Sequence, residues 1–303
     1  MRCVSGTTHG ASKQTLFIMY NALIRSILDY GAIAYDSAST STREKLDVVQ
    51  GKALRICCGV MTGCARACLQ IECGQPPLSL RRRRMQVDYA LKIQSYINHP
   101  TATIMDDCWQ NHGEYAADRE PFCVKVKAVL DAVGIHDVPD TSPSTKALPP
   151  WIAPTKLETR KHLVSTYQRV ADHITSLWQQ QWDNDDTGRF YHAVQPIVGY
   201  IFKYEAKPRR KNVSITRLRM NKCRLAAGLH KLHIGETANC DICRVSETVQ
   251  HFIVECPKQL CLQTRLKHEC MRTSKQFNIK TVLTCYRCIT LVYAWIVDNK
   301  TVL

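Results

Sequence analysis

The stretch CDICRVSETVQHFIVEC, residues 240–256, places two cysteines, a histidine and a third cysteine within a short segment. Two cysteines separated by two residues form a turn that can offer both sulfurs to one metal ion. The next two candidate ligands, His251 and Cys256, are five residues apart, so on a regular helix their side chains would point about 140° away from each other. Pro257 disfavours a helical conformation at the preceding cysteine, which is therefore expected beyond the last helical turn. The spacing predicts a closed, structural zinc site with four ligands: Cys240, Cys243, His251 and Cys256.

The alternative interpretation is that three buried cysteines stand beside an unrelated histidine. The chain holds 16 cysteines, so one accidental Cys-x2-Cys pair is expected, and a second pair does occur at Cys285 and Cys288. That second pair has no histidine at a suitable spacing, and we expect no metal there. A pair followed by His-x4-Cys arises by chance far less often, which favours a metal site at 240–256.

The segment immediately before this cluster is strongly basic. From Lys207 to Lys231 there are nine lysines and arginines, and no acidic residue follows until Glu236. The whole chain has a formal net charge of +15, with 41 basic and 26 acidic residues. An uninterrupted positive run favours a polyanionic partner. The predicted nucleic-acid-binding residues are Arg209, Arg210, Lys211, Arg217, Arg219, Lys222 and Arg224.

Two interpretations of the basic segment stand side by side. It could be a surface that only keeps the protein in solution, or it could contact the phosphates of RNA or DNA. The neighbouring metal site favours contact with nucleic acid, because it would hold the end of the helix that presents the charge. Few aromatic residues stand near the charge for base stacking, so binding to RNA or DNA is expected to be non-specific.

Hydrophobic residues recur at three- and four-residue steps through most of the chain, which predicts a mainly α-helical protein. Helices are expected at 12–30, 42–58, 64–72, 79–97, 124–133 and 157–183, and over the basic stretch 215–235. Seven prolines between residues 100 and 156 predict an extended connector there. The predicted segments are a small helical bundle at 1–99, the Pro-rich connector at 100–156, a helical region with the basic segment at 157–234, a small CCHC zinc-binding segment at 235–260 and a tail at 261–303.

Composition and terminal segments bear on the location of the protein. Hydrophobic residues make up 45% and charged residues 22%, which is typical of a globular protein. The apolar run at 289–297 is too short to span a bilayer, so no membrane partner is expected. The N-terminal residues lack the apolar core of a signal peptide, which predicts a nuclear or cytoplasmic protein. In those compartments cysteines are expected as thiols or metal ligands rather than disulfides.

Three N-terminal stretches carry a resemblance to a known family. They are LFIMYNALIRSILDYGAIAYDSAS (16–39), KLDVVQGKALRICCGV (45–60) and ECGQPPLSLRRRRMQVDYALKI (72–93). Together they resemble the segment after the polymerase core in reverse transcriptases of jockey-like non-LTR retrotransposons. SLWQQQWD (176–183), ITRLRMNKCRLAAG (215–228) and the cysteine-histidine stretch are similar to the C-terminal part of the same polyproteins, which ends in a zinc-binding segment. The matches run in the family's order over about residues 5–97 and 165–260.

The resemblance implies a thumb-like bundle joined to the zinc-binding tail of such an RNA-directed DNA polymerase. In the family the palm with its catalytic aspartates lies upstream, and an RNase H domain usually precedes the SLWQQQWD-like stretch, where this chain leaves no room for it. IMDD at 104–107 lacks the third carboxylate that two-metal phosphoryl transfer requires. We therefore expect no catalytic residue and no small-molecule substrate. The alternatives are a zinc-dependent protein-interaction module and a translated remnant without function.

Overall fold

Helices dominate the computed structural model, which describes residues 1–94, 99–110, 121–135, 156–202 and 209–299. Within these ranges there is no strand, and one isolated bridge joins Asn239 to Ser246. The mainly α-helical fold class is therefore confirmed. The α-helices are α1 (Lys13–Met19), α2 (Ser26–Asp29), α3 (Ala32–Tyr35), α4 (Thr40–Cys58), α5 (Arg66–Cys73), α6 (Leu78–Gln94), α7 (Pro100–Gln110), α8 (Phe122–Ala132), α9 (Lys156–Asn184), α10 (Arg189–Val194), α11 (Arg209–Arg219), α12 (Ala226–Lys231), α13 (Leu260–Arg272), α14 (Ile279–Thr284) and α15 (Tyr286–Asp298).

The chain folds into two units, each assembled from separated stretches. The first unit comprises Met1–Arg25, Val49–Gln75 and Gln181–Leu303, and the second comprises Ser26–Val48 and Pro76–Gln180. The helices α4 and α9 contribute residues to both units. The sequence analysis divided the chain into consecutive segments, with a single bundle at 1–99. In the structure, residues of that range belong to both units.

The first unit is organised around a buried carboxylate, Glu72, at the end of α5. Its oxygens accept hydrogen bonds from the Lys13 ammonium at 2.7 Å and from the Tyr191 hydroxyl. The guanidinium of Arg219 lies 3.7 Å from the same carboxylate. Burial alone would raise the pKa of Glu72, but the charges of Lys13 and Arg219 outweigh it and hold that pKa below its ordinary value. This network joins α1, α5, α10 and α11, which carries part of the basic segment.

The helix predicted at 12–30 forms with an irregular middle. Ser12 caps its start, since its hydroxyl accepts from the backbone N–H of Thr15 at 3.1 Å. A π-helical turn over Tyr20–Arg25 then separates α1 from α2. Tyr20 at the start of this turn is completely buried.

The second unit holds a buried carboxylate of its own, Asp36. It accepts hydrogen bonds from Arg82 at 2.8 Å, Lys125 at 2.8 Å and Gln86 at 3.2 Å. The neighbouring Arg81 makes a two-pronged ion pair with Asp29, with both N–O distances at 2.6 Å. Two arginines of the run 81–84 therefore hold helices of this unit together.

The region predicted as a Pro-rich connector contains an unexpected helix. Residues 100–110 form α7, which packs with α8 against α6, and residues 111–120 and 136–155 lie outside the described residues. Pro100 is the first residue of α7 and Pro121 directly precedes α8. Proline is tolerated at a helix start because its missing N–H has no partner there, so these prolines begin helices instead of excluding them. A disulfide between Cys108 and Cys123 links α7 to α8, contrary to the expectation of thiols.

Of the helices in the described part of the chain, none is both long enough and apolar enough to cross a membrane.

Candidate functional site

A tight turn at residues 238–247 presents the first two cysteines of the predicted metal site. The backbone N–H of Cys240 donates to the carbonyl of Val245 at 2.8 Å, and that of Glu247 donates to Ala238 at 2.9 Å. Arg244 closes the turn in the left-handed conformation, with φ at 59°, and its N–H donates to the Cys240 carbonyl at 2.9 Å. This local hydrogen bonding brings Cys240 and Cys243 to one end of the turn.

The remaining two candidates lie at either end of a wide helical turn. Residues His251–Glu255 form a π-helical turn, and the N–H of Cys256 donates to the carbonyl of His251 at 2.8 Å. Such a turn holds more residues than an α-helical turn, so the two side chains diverge less than on a regular helix. Cys256 itself is extended, with φ −70° and ψ 120°, and Pro257 follows it. Its predicted position beyond the helix is confirmed.

The four side chains form a group that could hold a metal ion. One ligand atom from each of Cys240, Cys243, His251 and Cys256 lies within 4.8 Å of all the others. The sulfur of Cys256 is 3.9 Å from that of Cys240 and 3.8 Å from that of Cys243. A tetrahedron with metal–sulfur bonds of about 2.3 Å has edges of about 3.8 Å. Among the described residues, this is the only such group of three or more histidine, cysteine or acidic side chains.

The histidine of the group has a buried nitrogen that a metal would satisfy. Nε2 of His251 has no hydrogen-bond partner among the described residues, although the side chain is buried. Buried polar atoms are nearly always bonded, so this nitrogen is a natural ligand atom. The other ring nitrogen, Nδ1, lies 3.8 Å from the carboxylate of Glu255, which is held by Gln250 at 2.7 Å. This separation is longer than a hydrogen bond, so Glu255 lies near the imidazole without accepting from it.

The thiols differ in how readily they ionise. Burial acts to raise the pKa of Cys240, but the N–H of Cys243, the nearby His251 side chain and the N–H of Ile242 stabilise its thiolate and lower the pKa to about 7. Burial and the neighbouring sulfurs of Cys256 and Cys240 raise the pKa of Cys243 to about 11. Three thiolates together repel one another, and a bound cation removes that repulsion.

Two hydrogen bonds tie the cysteine-histidine segment to the part of the basic segment between α11 and α12. The carboxylate of Glu247 accepts from the N–H of Ala226, the first residue of α12, at 2.8 Å. The side-chain oxygen of Asn221, two residues after α11, accepts from the N–H of Val249 at 3.4 Å. Glu247 and Asn221 were not identified from the sequence, because neither belongs to a ligand pattern or to the charge run.

Two of the seven predicted nucleic-acid-binding residues are buried and hold the fold together. Arg209 donates to the carbonyls of Cys57 at 2.6 Å and Ile56 at 2.8 Å, at the end of α4. Arg219 donates to the carbonyl of Leu283 at 3.0 Å and lies 3.6 Å from the ring centre of Phe202. Because their guanidiniums are occupied inside the first unit, these two arginines are not part of an accessible surface.

The other five predicted nucleic-acid-binding residues are at least partly exposed to solvent. Arg210 and Arg224 are exposed, whereas Lys211, Arg217 and Lys222 are half-buried. We call these five residues the basic surface. Arg217 also donates to the carbonyl of Gly59 at 3.0 Å, and the ammonium of Lys211 lies 5.7 Å from the ring centre of Tyr293.

Three arginines of the basic surface line a cavity of about 130 Å³ in the first unit. They are Arg210, Arg217 and Arg224, and α15 contributes Tyr293 to the same cavity. The sequence analysis identified the arginines but not the cavity, because its other walls come from residues 7–8 and 293–297, which are distant in sequence.

No family model, curated protein or solved structure matches this chain. The retrotransposon resemblance stays a prediction from the sequence.

Proposed function

We propose that the protein is a catalytically inactive, retrotransposon-derived fragment that binds RNA or DNA non-specifically. In this proposal a structural zinc ion bound by Cys240, Cys243, His251 and Cys256 braces the basic surface, which contacts phosphates. The observation that carries the proposal is the pair of hydrogen bonds from the cysteine-histidine segment to Asn221 and Ala226. Those bonds connect the metal ligands to the loop that carries Lys222 and Arg224.

The chemistry of the donor set supports zinc as the ion. Three thiolates and one imidazole are soft and borderline ligands, and sulfur separations near 3.8 Å suit a tetrahedral ion of zinc's size. Four protein ligands leave no position for water, which favours a structural role over a catalytic one. Such a site contributes about 10–16 kcal/mol of apparent binding free energy to folding. This stabilisation would compensate for the small apolar content of the turn at 238–247.

The charge of the basic surface supports a nucleic acid as the partner. Its five cations come from one short stretch, and no carboxylate among the described residues lines the cavity beside them. Each cation that contacts a phosphate displaces a condensed counterion, which provides affinity without reading the base sequence. The family resemblance supports the same partner, since reverse transcriptases handle RNA and DNA.

The first test combines metal analysis with binding to random-sequence RNA and DNA. We expect one zinc per chain, and we expect the double variant Arg210→Ala/Arg224→Ala to lose about tenfold or more in affinity, the usual effect of removing phosphate contacts. The variant should retain its zinc, because neither arginine is a ligand. Arg265→Ala, on the exposed face of α13, is the matched control and should bind as the wild type does. Full affinity in the double variant would refute the proposed surface.

A second candidate, a zinc-dependent protein-interaction module, is favoured by one observation. Ile242 and Val245, both in the cysteine-bearing turn, are 61% and 51% exposed. Exposed aliphatic side chains on a rigid turn are typical of a contact with another protein. The wild-type protein and the double variant Ile242→Ser/Val245→Ser together separate the two functions. Binding of the wild type to random-sequence RNA or DNA that the double variant retains supports the first proposal. A wild type that binds no RNA or DNA favours the second.

A further inference from the structure

The cavity of the first unit has a lining with two chemical characters. One part consists of residues that carry guanidinium or hydroxyl groups: Arg210, Arg217, Arg224, Thr7, Thr8 and Ser214. All of these groups donate hydrogen bonds, and three carry positive charge. The other part is apolar and comes mainly from α15. The lining is therefore suited to an anion that also has an uncharged portion.

Two of these arginines, Arg217 and Arg224, repel one another. Burial is the main cause that lowers the pKa of Arg217, and the charge of Arg224 lowers it further. Arg217 is held in place by the carbonyl of Gly59, so the repulsion is built into the folded state. An anion in the cavity would offset this repulsion, and a planar guanidinium matches two phosphate oxygens at once.

The size and depth of the cavity narrow the choice of anion. Its volume of about 130 Å³ is several times the about 10–15 Å³ that a single water requires, so it accommodates a phosphate with an adjoining group. Ser214, Val213 and Ile296 in the lining are buried, whereas Arg210, Arg224 and Val297 reach solvent. A site with a buried floor and an exposed rim admits the end of a strand more readily than a strand that passes through.

We propose that this cavity binds the terminal phosphomonoester of a nucleic-acid strand, with the terminal sugar or base against Tyr293 and Ile296. A terminal phosphate carries up to two negative charges, whereas a phosphate inside a strand carries one, and three guanidiniums favour the higher charge. The inference rests on the proposed nucleic-acid binding. A free nucleotide has the same phosphomonoester chemistry and is the other source to be distinguished.

The test compares one oligonucleotide with a 5′-phosphate, the same strand with a 3′-phosphate, and the same strand with hydroxyl ends, by fluorescence anisotropy. We expect one of the phosphorylated strands to bind about tenfold more tightly than the hydroxyl strand, as one additional charge-assisted contact would give. The variant Val297→Trp fills the rim without altering any charge. It should abolish the preference, so that the phosphorylated strands bind no more tightly than the hydroxyl strand. Met271→Trp, at an exposed position on α13 outside the cavity lining, is the control and should keep the preference.

The outcomes separate this inference from the proposed function. Equal affinity of all three strands for the wild-type protein would overturn the inference and leave the proposed function standing. If no strand binds, the proposed function fails, and the proposal that a strand end occupies the cavity fails with it. Calorimetry with adenosine monophosphate and with inorganic phosphate then tests the free ligands. If either free ligand binds the wild type but not Val297→Trp, the cavity is a site for free phosphate or nucleotide. If neither ligand binds the wild type, the cavity is not an anion site.

Discussion

At the scale of single residues, the four side chains that could hold a metal ion were predictable from the sequence, and the burial of two arginines was not. The ligands were predictable because a metal site imposes a spacing, and proline after Cys256 fixed its conformation locally. Arg209 and Arg219 have the same local surroundings as exposed arginines in the charge run. What distinguishes them is their partners, the carbonyls at the end of α4 and at Leu283, which are 64 or more residues away. No local pattern encodes such contacts.

The first residue-scale prediction concerns Cys256, whose sulfur lies near both cysteines of the turn. Replacing it by serine in Cys256→Ser removes one thiolate and leaves an incomplete ligand set. We expect zinc content below one per chain and a lower melting temperature, measured by metal analysis and circular dichroism. Cys261→Ser, an exposed cysteine five residues later, is the matched control and should change neither quantity. Normal zinc content in Cys256→Ser would contradict the assigned ligand set.

The second residue-scale prediction concerns Glu72, the buried carboxylate of the first unit. Glu72→Gln leaves Lys13 and Arg219 without their shared counter-charge, and breaking a buried ion pair in this way costs about 3–5 kcal/mol. The measurement is denaturant unfolding, with Glu236→Gln as an exposed control that should unfold as the wild type does.

The depressed pKa of Glu72 also sets the sign of a pH effect. A carboxyl whose pKa is lower in the folded state contributes stability above its unfolded pKa of about 4.3, and that stability is lost as the pH falls through the folded pKa. The stability difference between wild type and Glu72→Gln should therefore be largest near neutral pH and shrink below about pH 4. A difference that grows in acid would contradict this assignment.

At the scale of elements, periodicity located most helices, and the departures have identifiable causes. Prolines at the starts of α7 and α8 were interpreted as interruptions, although a helix tolerates proline in its first turn. The helix predicted at 215–235 is divided, because Asn221 adopts a left-handed conformation with φ at 50° and ends the preceding turn. The same Asn221 side chain accepts from Val249, so the break between α11 and α12 is where the cysteine-histidine segment attaches.

The element-scale prediction tests that attachment. Glu247→Ala removes the carboxylate that accepts from the first N–H of α12, and loss of a comparable helix cap costs about 0.5–2 kcal/mol. We expect a lower melting temperature and weaker nucleic-acid binding, with zinc retained, because Glu247 is not a ligand. Glu236→Ala is the matched control, since this exposed acid lies outside the cysteine-bearing turn. Unchanged nucleic-acid binding in Glu247→Ala would show that the metal segment does not brace the basic surface.

At the scale of the whole molecule, net charge predicts a class of partner but not the surface that meets it. Of the chain's 41 basic residues, several in the first two-thirds are paired inside the units, as Arg81, Arg82 and Lys125 are. The count of 41 basic residues therefore overstates the number of cations available to phosphate, and the net charge of +15 does not say where the excess lies. The basic surface predicts five phosphate contacts, and the salt dependence of binding measures that number directly.

The whole-molecule prediction is the slope of binding affinity against salt. Each phosphate contact with a single strand contributes about −0.7 to the slope of log K against log salt concentration, so five contacts give about −3.5. Arg210→Ala/Arg224→Ala should reduce the steepness by about 1.4, since two contacts are lost. Chelation of zinc should lower the affinity at every salt concentration, because the ion is proposed to hold the loop between α11 and α12. A slope near −0.7 would mean that only about one phosphate is contacted, which contradicts the proposed surface. A slope that the double variant leaves unchanged would mean that cations outside the basic surface mediate binding.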